Sequence, residues 1–236
     1  MQRYTPRDIV VLGLIAALFF WSFARSSSRS IEEFAFFLVA LVLAVSFHEC
    51  AHAVVALGLG DSTAKLLGRV SLNPIRHLDL FGSLAFLFIG FGWGKPVPIN
   101  PYNMRGVSPV VGAAISAIAG PVSNVLFGFL AVVVLRLIVG TSGSPDPYVL
   151  EFFRELIMIN VALAAFNFLP IPPLDGFSLV RLVLPREISA ILEQYGMLIL
   201  IALIFIPQFL GRQFDVLSML IGPIRAVVQS IVFASL

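Results

Sequence analysis

Two histidines four residues apart, with a glutamate beside the first, stand in His48-Glu49-Cys50-Ala51-His52 at the end of an apolar run from Phe34 to Phe47. On a helix, residues four apart lie about 40° apart around the axis, so both imidazoles can reach one ion. Glu49, about 100° from His48, can reach a water on that ion. The chemistry would be hydrolysis: a metal-activated water, a carboxylate to take its proton, and a peptide carbonyl as target. Shuffling the three His and seven Glu of this chain yields such a motif on the order of once in a thousand sequences, which sets chance aside. A purely structural origin would leave a Glu within an apolar span, at about 2.5–3.5 kcal/mol on insertion scales, with two His added to that burden.

Two imidazoles do not complete a catalytic zinc site, which takes three protein ligands and keeps a fourth position for water. Asp175 is the candidate third ligand, in Asn167-Phe-Leu-Pro-Ile-Pro-Pro-Leu-Asp-Gly176. There Pro170, Pro172 and Pro173 end the preceding helix and leave the carboxylate on irregular backbone. Such backbone is tolerated at membrane depth where protein encloses it or it lines a wet cavity. Cys50 is the only cysteine, so metal must be held by His and carboxylate; this set suits zinc, with iron and cobalt as alternatives.

The elements that must position these groups are membrane helices. Hydrophobic residues are 59% of the 236 and charged residues only 12%, with mean hydropathy +1.00, against about a quarter charged in soluble domains. The net charge of +2 is spread between apolar spans and forms no basic patch, which excludes a nucleic-acid partner. The expected fold is an all-α polytopic membrane protein. Six crossings are predicted at 8–24, 34–58, 110–140, 149–169, 190–210 and 214–235, by apolar length. Gly120-Pro121 offers a break or kink in the long 110–140 segment. The short, glycine-rich stretch 78–93 is expected to be re-entrant or interfacial. The proline-rich Lys95–Pro101 segment is expected to be extended and to contribute to a small membrane-associated β element. Residues 1–24 are read as a retained span rather than a secretory signal. Basic residues in the N-terminus and in the 59–108 loop place both termini in the cytoplasm.

Taken together, the two motifs resemble the site-2 protease family, intramembrane zinc metalloproteases that pair a helical HExxH with a later N-x-x-P-x-x-x-L-D-G segment. The resemblance runs from about Ser46 to Val183. It includes Gly120-Pro-Val-Ser-Asn124, similar to the family's G-P-x-x-N, and Gly92-Trp-Gly-Lys-Pro-Val-Pro-Ile-Asn-Pro101, similar to its lysine-proline loop. It implies one zinc ion per chain on His48, His52 and Asp175, Glu49 as general base, and Asn124 and Asn167 as polar groups that bind substrate. The implied reaction is hydrolysis of peptide bonds in or near transmembrane segments of membrane-protein substrates, as in regulated intramembrane proteolysis. The expected location is the cell membrane of a prokaryote, in contact with the lipid bilayer. The family's PDZ and CBS domains are missing, so the chain reads as one compact domain, with a catalytic core at about 34–184 and accessory helices at 1–33 and 185–236.

A second reading, of another class, is a metal-ion transporter or channel in which His48, His52 and Asp175 form a transit site. Several residues are set aside. His77 is expected to be solvated in a loop, Asp61 and Asp79 to be topology or capping residues, and Cys50 to be a small packing residue facing away from the metal. Arg181 and Arg186 are read as interfacial anchors. A substrate strand is expected to dock on an edge near 64–72 or 95–101.

Overall fold

The computed structural model describes residues 30–79, 82, 94–143, 145–211 and 215–233. Helix α1 spans Ile31–Gly58 and starts at a reciprocal cap. The Ser30 side chain accepts from the Glu33 amide, and the Glu33 carboxylate accepts from the Ser30 amide. At 28 residues it is about 42 Å long, enough for the roughly 30 Å hydrocarbon core of a bilayer. A one-turn helix, α2 (Thr63–Leu66), and two single 3-10 turns lie in the following loop. Helix α3, Pro109–Ser142, is entered through Ser108 and proline and is stopped by Gly143, whose φ of 65° suits a residue without Cβ.

Helix α4 (Pro147–Asn167) is capped by Asp146, and one-turn α5 is Phe177–Val180. Helix α6 (Arg186–Leu210) ends at Gly211, and α7 (Val216–Val232) starts at the Asp215 cap. Helices α1, α3 and α4 pack on one another, α7 covers α4 and α3, and α6 meets the bundle mainly through a second apolar cluster. The core at this junction is Ala40, Ala44, Ala131, Leu156, Val161, Ala164 and their neighbours. Small side chains let the helices approach closely, as packing in lipid requires.

Among the described residues three helices are long and apolar enough to cross a membrane: Ile31–Gly58, Pro109–Thr141 and Arg186–Pro207. The expectation of six is therefore met only in part. The 149–169 segment is the well-formed α4, but Glu151, Arg154 and Glu155 occupy its first half, with Glu151 and Arg154 paired at 3.6 Å. The 214–235 segment forms α7, which at 17 residues is shorter than a usual span. Segment 8–24 lies outside the described residues, as does nearly all of 78–93.

Gly120-Pro121 does not break α3, which runs continuously through it, with Pro121 fully buried.

The expected β element reduces, among the described residues, to one isolated antiparallel bridge, Leu78 with Gly94. The reason is local. Pro96, Pro98 and Pro101 have no amide hydrogen to offer, and the amides of Val97 and Asn100 are committed to side chains. Lys95 donates to the His77 carbonyl at 2.7 Å as part of that bridge, whereas Val97 donates to the Glu49 carboxylate at 3.0 Å and Asn100 to Asp61 at 2.7 Å. Nor is 64–72 a strand edge, since it consists of α2 and turns.

His77 also departs from expectation: it is fully buried, with Nε2 at 2.6 Å from the Ser71 carbonyl. Asp61 is likewise fully buried and ties the end of α1 to the segment before α3, accepting from Thr63, the Asn100 amide and Asn103. Burial alone would raise its carboxyl pKa, but the hydrogen bonds from Thr63, Asn100 and Asn103 outweigh burial and hold it below the usual range.

Candidate metal centre

His48 and His52 face α3 in an antiparallel register with Ser116, Gly120 and Asn124, which are spaced four apart along one row of that helix. His52 Nδ1 lies 2.7 Å from the Ser116 carbonyl oxygen, and His48 Nδ1 lies 2.7 Å from Asn124 Oδ1. Gly120 sits between them: a Cβ there would be 2.5 Å from His52 Nε2 and 2.6 Å from His48 Cε1. Only a residue with no side chain lets the two rings stand against the helix.

These contacts decide which ring nitrogen carries the proton. A carbonyl oxygen can only accept, so His52 Nδ1 is the donor, and in the neutral ring Nε2 presents a lone pair. The Asn124 amide donates through Nδ2 to the Ala44 carbonyl at 3.1 Å and to Asn160 Oδ1 at 2.8 Å. Its oxygen is thereby turned to accept from His48 Nδ1, and His48 Nε2 presents the second lone pair. Asp175 supplies the third: Oδ2 is 3.1 Å from His48 Nε2 and 3.4 Å from His52 Nε2. That oxygen is buried and has no proton donor among the described residues.

Three ligand atoms from residues 48, 52 and 175 thus lie within 4.8 Å of one another, two imidazole nitrogens and one carboxylate oxygen. With both rings neutral and no cation bound, lone pairs would face lone pairs in a poorly solvated place, which is electrostatically unfavourable. The donor set is that of a catalytic zinc site with one position left for water.

Asp175 reaches the helical pair because the nine-residue connection after α4 closes on itself. The Gly176 amide donates to the Asn167 carbonyl at 2.7 Å, and Leu169 and Leu174 anchor the loop in the apolar cluster under α6 and α7. Gly176 is required there, since a Cβ would stand 2.3 Å from the Phe168 carbonyl oxygen.

Glu49 is half-buried, its Oε2 accepting from the Val97 amide. Arg69, buried in the loop after α2, donates to the Lys95 carbonyl two residues before Val97. The extended segment is therefore held beside the carboxylate. Burial lowers the Arg69 guanidinium pKa, and the charge of Glu49 opposes that shift, so the two charges sense each other.

Of the expected substrate contacts, Asn124 is fully buried and directed at His48, Ala44 and Asn160. The amide that sequence reasoning assigned to substrate has both of its donors committed inside the bundle. Asn167 is half-buried, with Nδ2 donating to Leu163 in its own helix. Sequence reasoning missed the Ser116 carbonyl, which has no side-chain signal. It also missed Asn160, whose signal was available as an amide between Ile159 and Val161 in an apolar stretch.

Gly120→Val is expected to fold, because α3 continues around the site, and to lose bound zinc, because the new side chain displaces both imidazoles. Metal analysis of the purified variant checks this: a zinc content equal to that of the native chain would rule out the close packing of Gly120 on the rings.

The comparisons with known proteins follow the same lines. The sequence profile of peptidase family M50 matches residues 142–207, the stretch holding Asp175. A protein of Bacillus subtilis (strain 168) named as a zinc metalloprotease, YwhC, is 36% identical over 183 residues, which is 73% of this chain and 81% of that protein. Rip2 of Mycolicibacterium smegmatis, also named as a zinc metalloprotease, is 28% identical over 229 residues, 90% of this chain and 84% of that protein. The similarly named MJ0611 of Methanocaldococcus jannaschii is 28% identical over 181 residues, 76% of this chain and 86% of that protein. No solved structure matches the chain. With 36% identity to the Bacillus protein over an alignment that covers 73% of this chain and 81% of that protein, this chain belongs to peptidase family M50, the site-2 protease family of intramembrane zinc metalloproteases.

Proposed function

We propose that His48, His52 and Asp175 hold the zinc ion, that Glu49 is the general base, and that the substrate is a transmembrane segment of another protein. The observation that carries this reading is the meeting of ligand atoms from His48, His52 and Asp175 within 4.8 Å of one another, with Asp175 Oδ2 buried and without a hydrogen-bond donor among the described residues. When bound, zinc supplies a Lewis acid and a water whose pKa falls toward about 7. The carboxylate of Glu49, held by the Val97 N–H, takes one proton from the attacking water. The water oxygen bonds to the scissile carbonyl carbon, the carbon–nitrogen bond breaks, and Glu49 returns the proton to the leaving amine. Asn167, at the end of α4 beside the Asp175 loop, is the remaining amide available to hold the substrate backbone.

A transmembrane helix hides its carbonyls in its own hydrogen-bond ladder, so a cleavable segment must unwind locally, which Gly, Pro or Asn favours. The segment after Lys95 has few amides left to donate, so a strand laid beside it would pair mainly with its carbonyls. We read the chain as one domain with its catalytic core at about 34–184. In this reading it makes six crossings, with α4, α7 and 8–24 added to the three long helices. It resides in a prokaryotic cell membrane with both termini cytoplasmic, on the strength of Lys65, Arg69, Arg76, Lys95 and Arg105 in the 59–108 loop.

The test is purification in detergent, metal analysis, and cleavage of a model membrane peptide before and after a chelator such as 1,10-phenanthroline. The expected result is about one zinc per chain, loss of cleavage with the chelator and recovery on adding Zn2+. Zinc flux into proteoliposomes without any cleavage would overturn the reading in favour of a transit site.

A further inference from the structure

Asn160 is a fully buried amide on α4 that touches neither Asp175 nor the histidines and yet ends a hydrogen-bonded chain leading to one of them. Its Nδ2 donates to Leu156 of its own helix at 2.8 Å, which fixes the orientation of its amide and points Oδ1 at Asn124. Asn124 has two N–H bonds to place. One goes to the Ala44 carbonyl of α1 and the other to Asn160. With both satisfied, the Asn124 oxygen has one orientation, toward His48 Nδ1 at 2.7 Å.

We infer that Asn160 is a positioning residue for zinc: by holding Asn124 it keeps His48 in the tautomer and ring orientation that offer Nε2 to the metal. The inference rests on the metal reading above. Its physical basis is that an amide N–H buried without an acceptor is costly, so an Asn124 that loses Asn160 swings to find another partner and releases the His48 ring. The chain crosses three helices, Asn160 on α4, Asn124 on α3 and Ala44 and His48 on α1, which also makes metal affinity sensitive to how α4 packs.

The test compares Asn160→Leu, Asn124→Ala and the double variant in the full-length chain, titrating Zn2+ against a competing chelator and recording the absorption spectrum with Co2+. Leucine suits the apolar helix; if Asn160→Leu does not survive in detergent, Asn160→Ala carries the same comparison. Groups behind a metal ligand typically contribute about 10–100-fold to affinity, and a loss in that range is expected for Asn160→Leu, with an altered Co2+ spectrum at saturation. The double variant should bind no more weakly than Asn124→Ala alone, because the two residues act in series. Unchanged zinc affinity in Asn160→Leu, or losses that multiply in the double variant, would reduce Asn160 to a strut between helices and overturn the inference. The readout is binding, so failure of Glu49 as a base leaves it intact. If Asp175→Asn binds Zn2+ as tightly as the native chain, the metal reading fails first and the inference with it.

Discussion

Glu49→Gln is expected to keep its full zinc content and to lose cleavage by about 10²–10⁴-fold, the usual contribution of a general base. The two side chains are nearly isosteric, and glutamine Oε1 can still accept the Val97 N–H at the position the carboxylate uses. The lost property is the capacity to take a proton from water. His48 and His52 keep their partners on α3, which Glu49 does not touch. Cleavage within tenfold of native would remove Glu49 from the chemistry, and loss of zinc would recast it as part of the metal's support. The same variant discriminates between the two functional classes, since ion transit does not require proton abstraction at this carboxylate.

Asp175→Asn should abolish zinc binding and cleavage together, with a larger effect than the roughly 10–100-fold typical of groups behind the ligands. Asparagine puts a neutral oxygen where the anion stood and leaves two imidazoles as the only strong donors. The stability change gives a second, independent readout. If both imidazoles of the metal-free native chain are neutral, Asp175 Oδ2 faces two nitrogen lone pairs at 3.1 and 3.4 Å, and removing its charge relieves a repulsion. The chelator-treated variant is therefore expected to melt at or above the temperature of the chelator-treated native chain. A marked drop would mean that the contacts are ion pairs to protonated histidines holding the fold, since removing one partner of a buried pair costs about 3–5 kcal/mol.

The motif on α1 was readable because its geometry is local: helix periodicity alone brings His48, Glu49 and His52 to neighbouring directions. Asp175 was readable for a related reason, as a carboxylate just after three prolines that stop a helix at membrane depth. The number of crossings was less readable. Apolar length marks α1, α3 and α6, but in α4 the charges of Glu151, Arg154 and Glu155 interrupt a segment that still packs in the middle of the bundle. His77 was misjudged because loop position stood in for exposure, whereas the fold buries it fully and sets its Nε2 on the Ser71 carbonyl.

By itself, the order of residues determined the chemistry on offer: a helical histidine pair with a base, a carboxylate on irregular backbone, and a chain apolar enough to put both in a membrane. Those properties depend on side-chain type and on dihedral periodicity over a few residues, and they survive without knowledge of any neighbour. Tertiary structure decided the rest. It set Asn124 on His48 as a hydrogen-bond partner, gave the Ser116 carbonyl and the bare face of Gly120 their places against the imidazoles, and set the Val97 amide on Glu49. Each of these depends on the register between segments 48 to 76 residues apart, or on a backbone atom common to every residue type, and neither leaves a mark in local sequence.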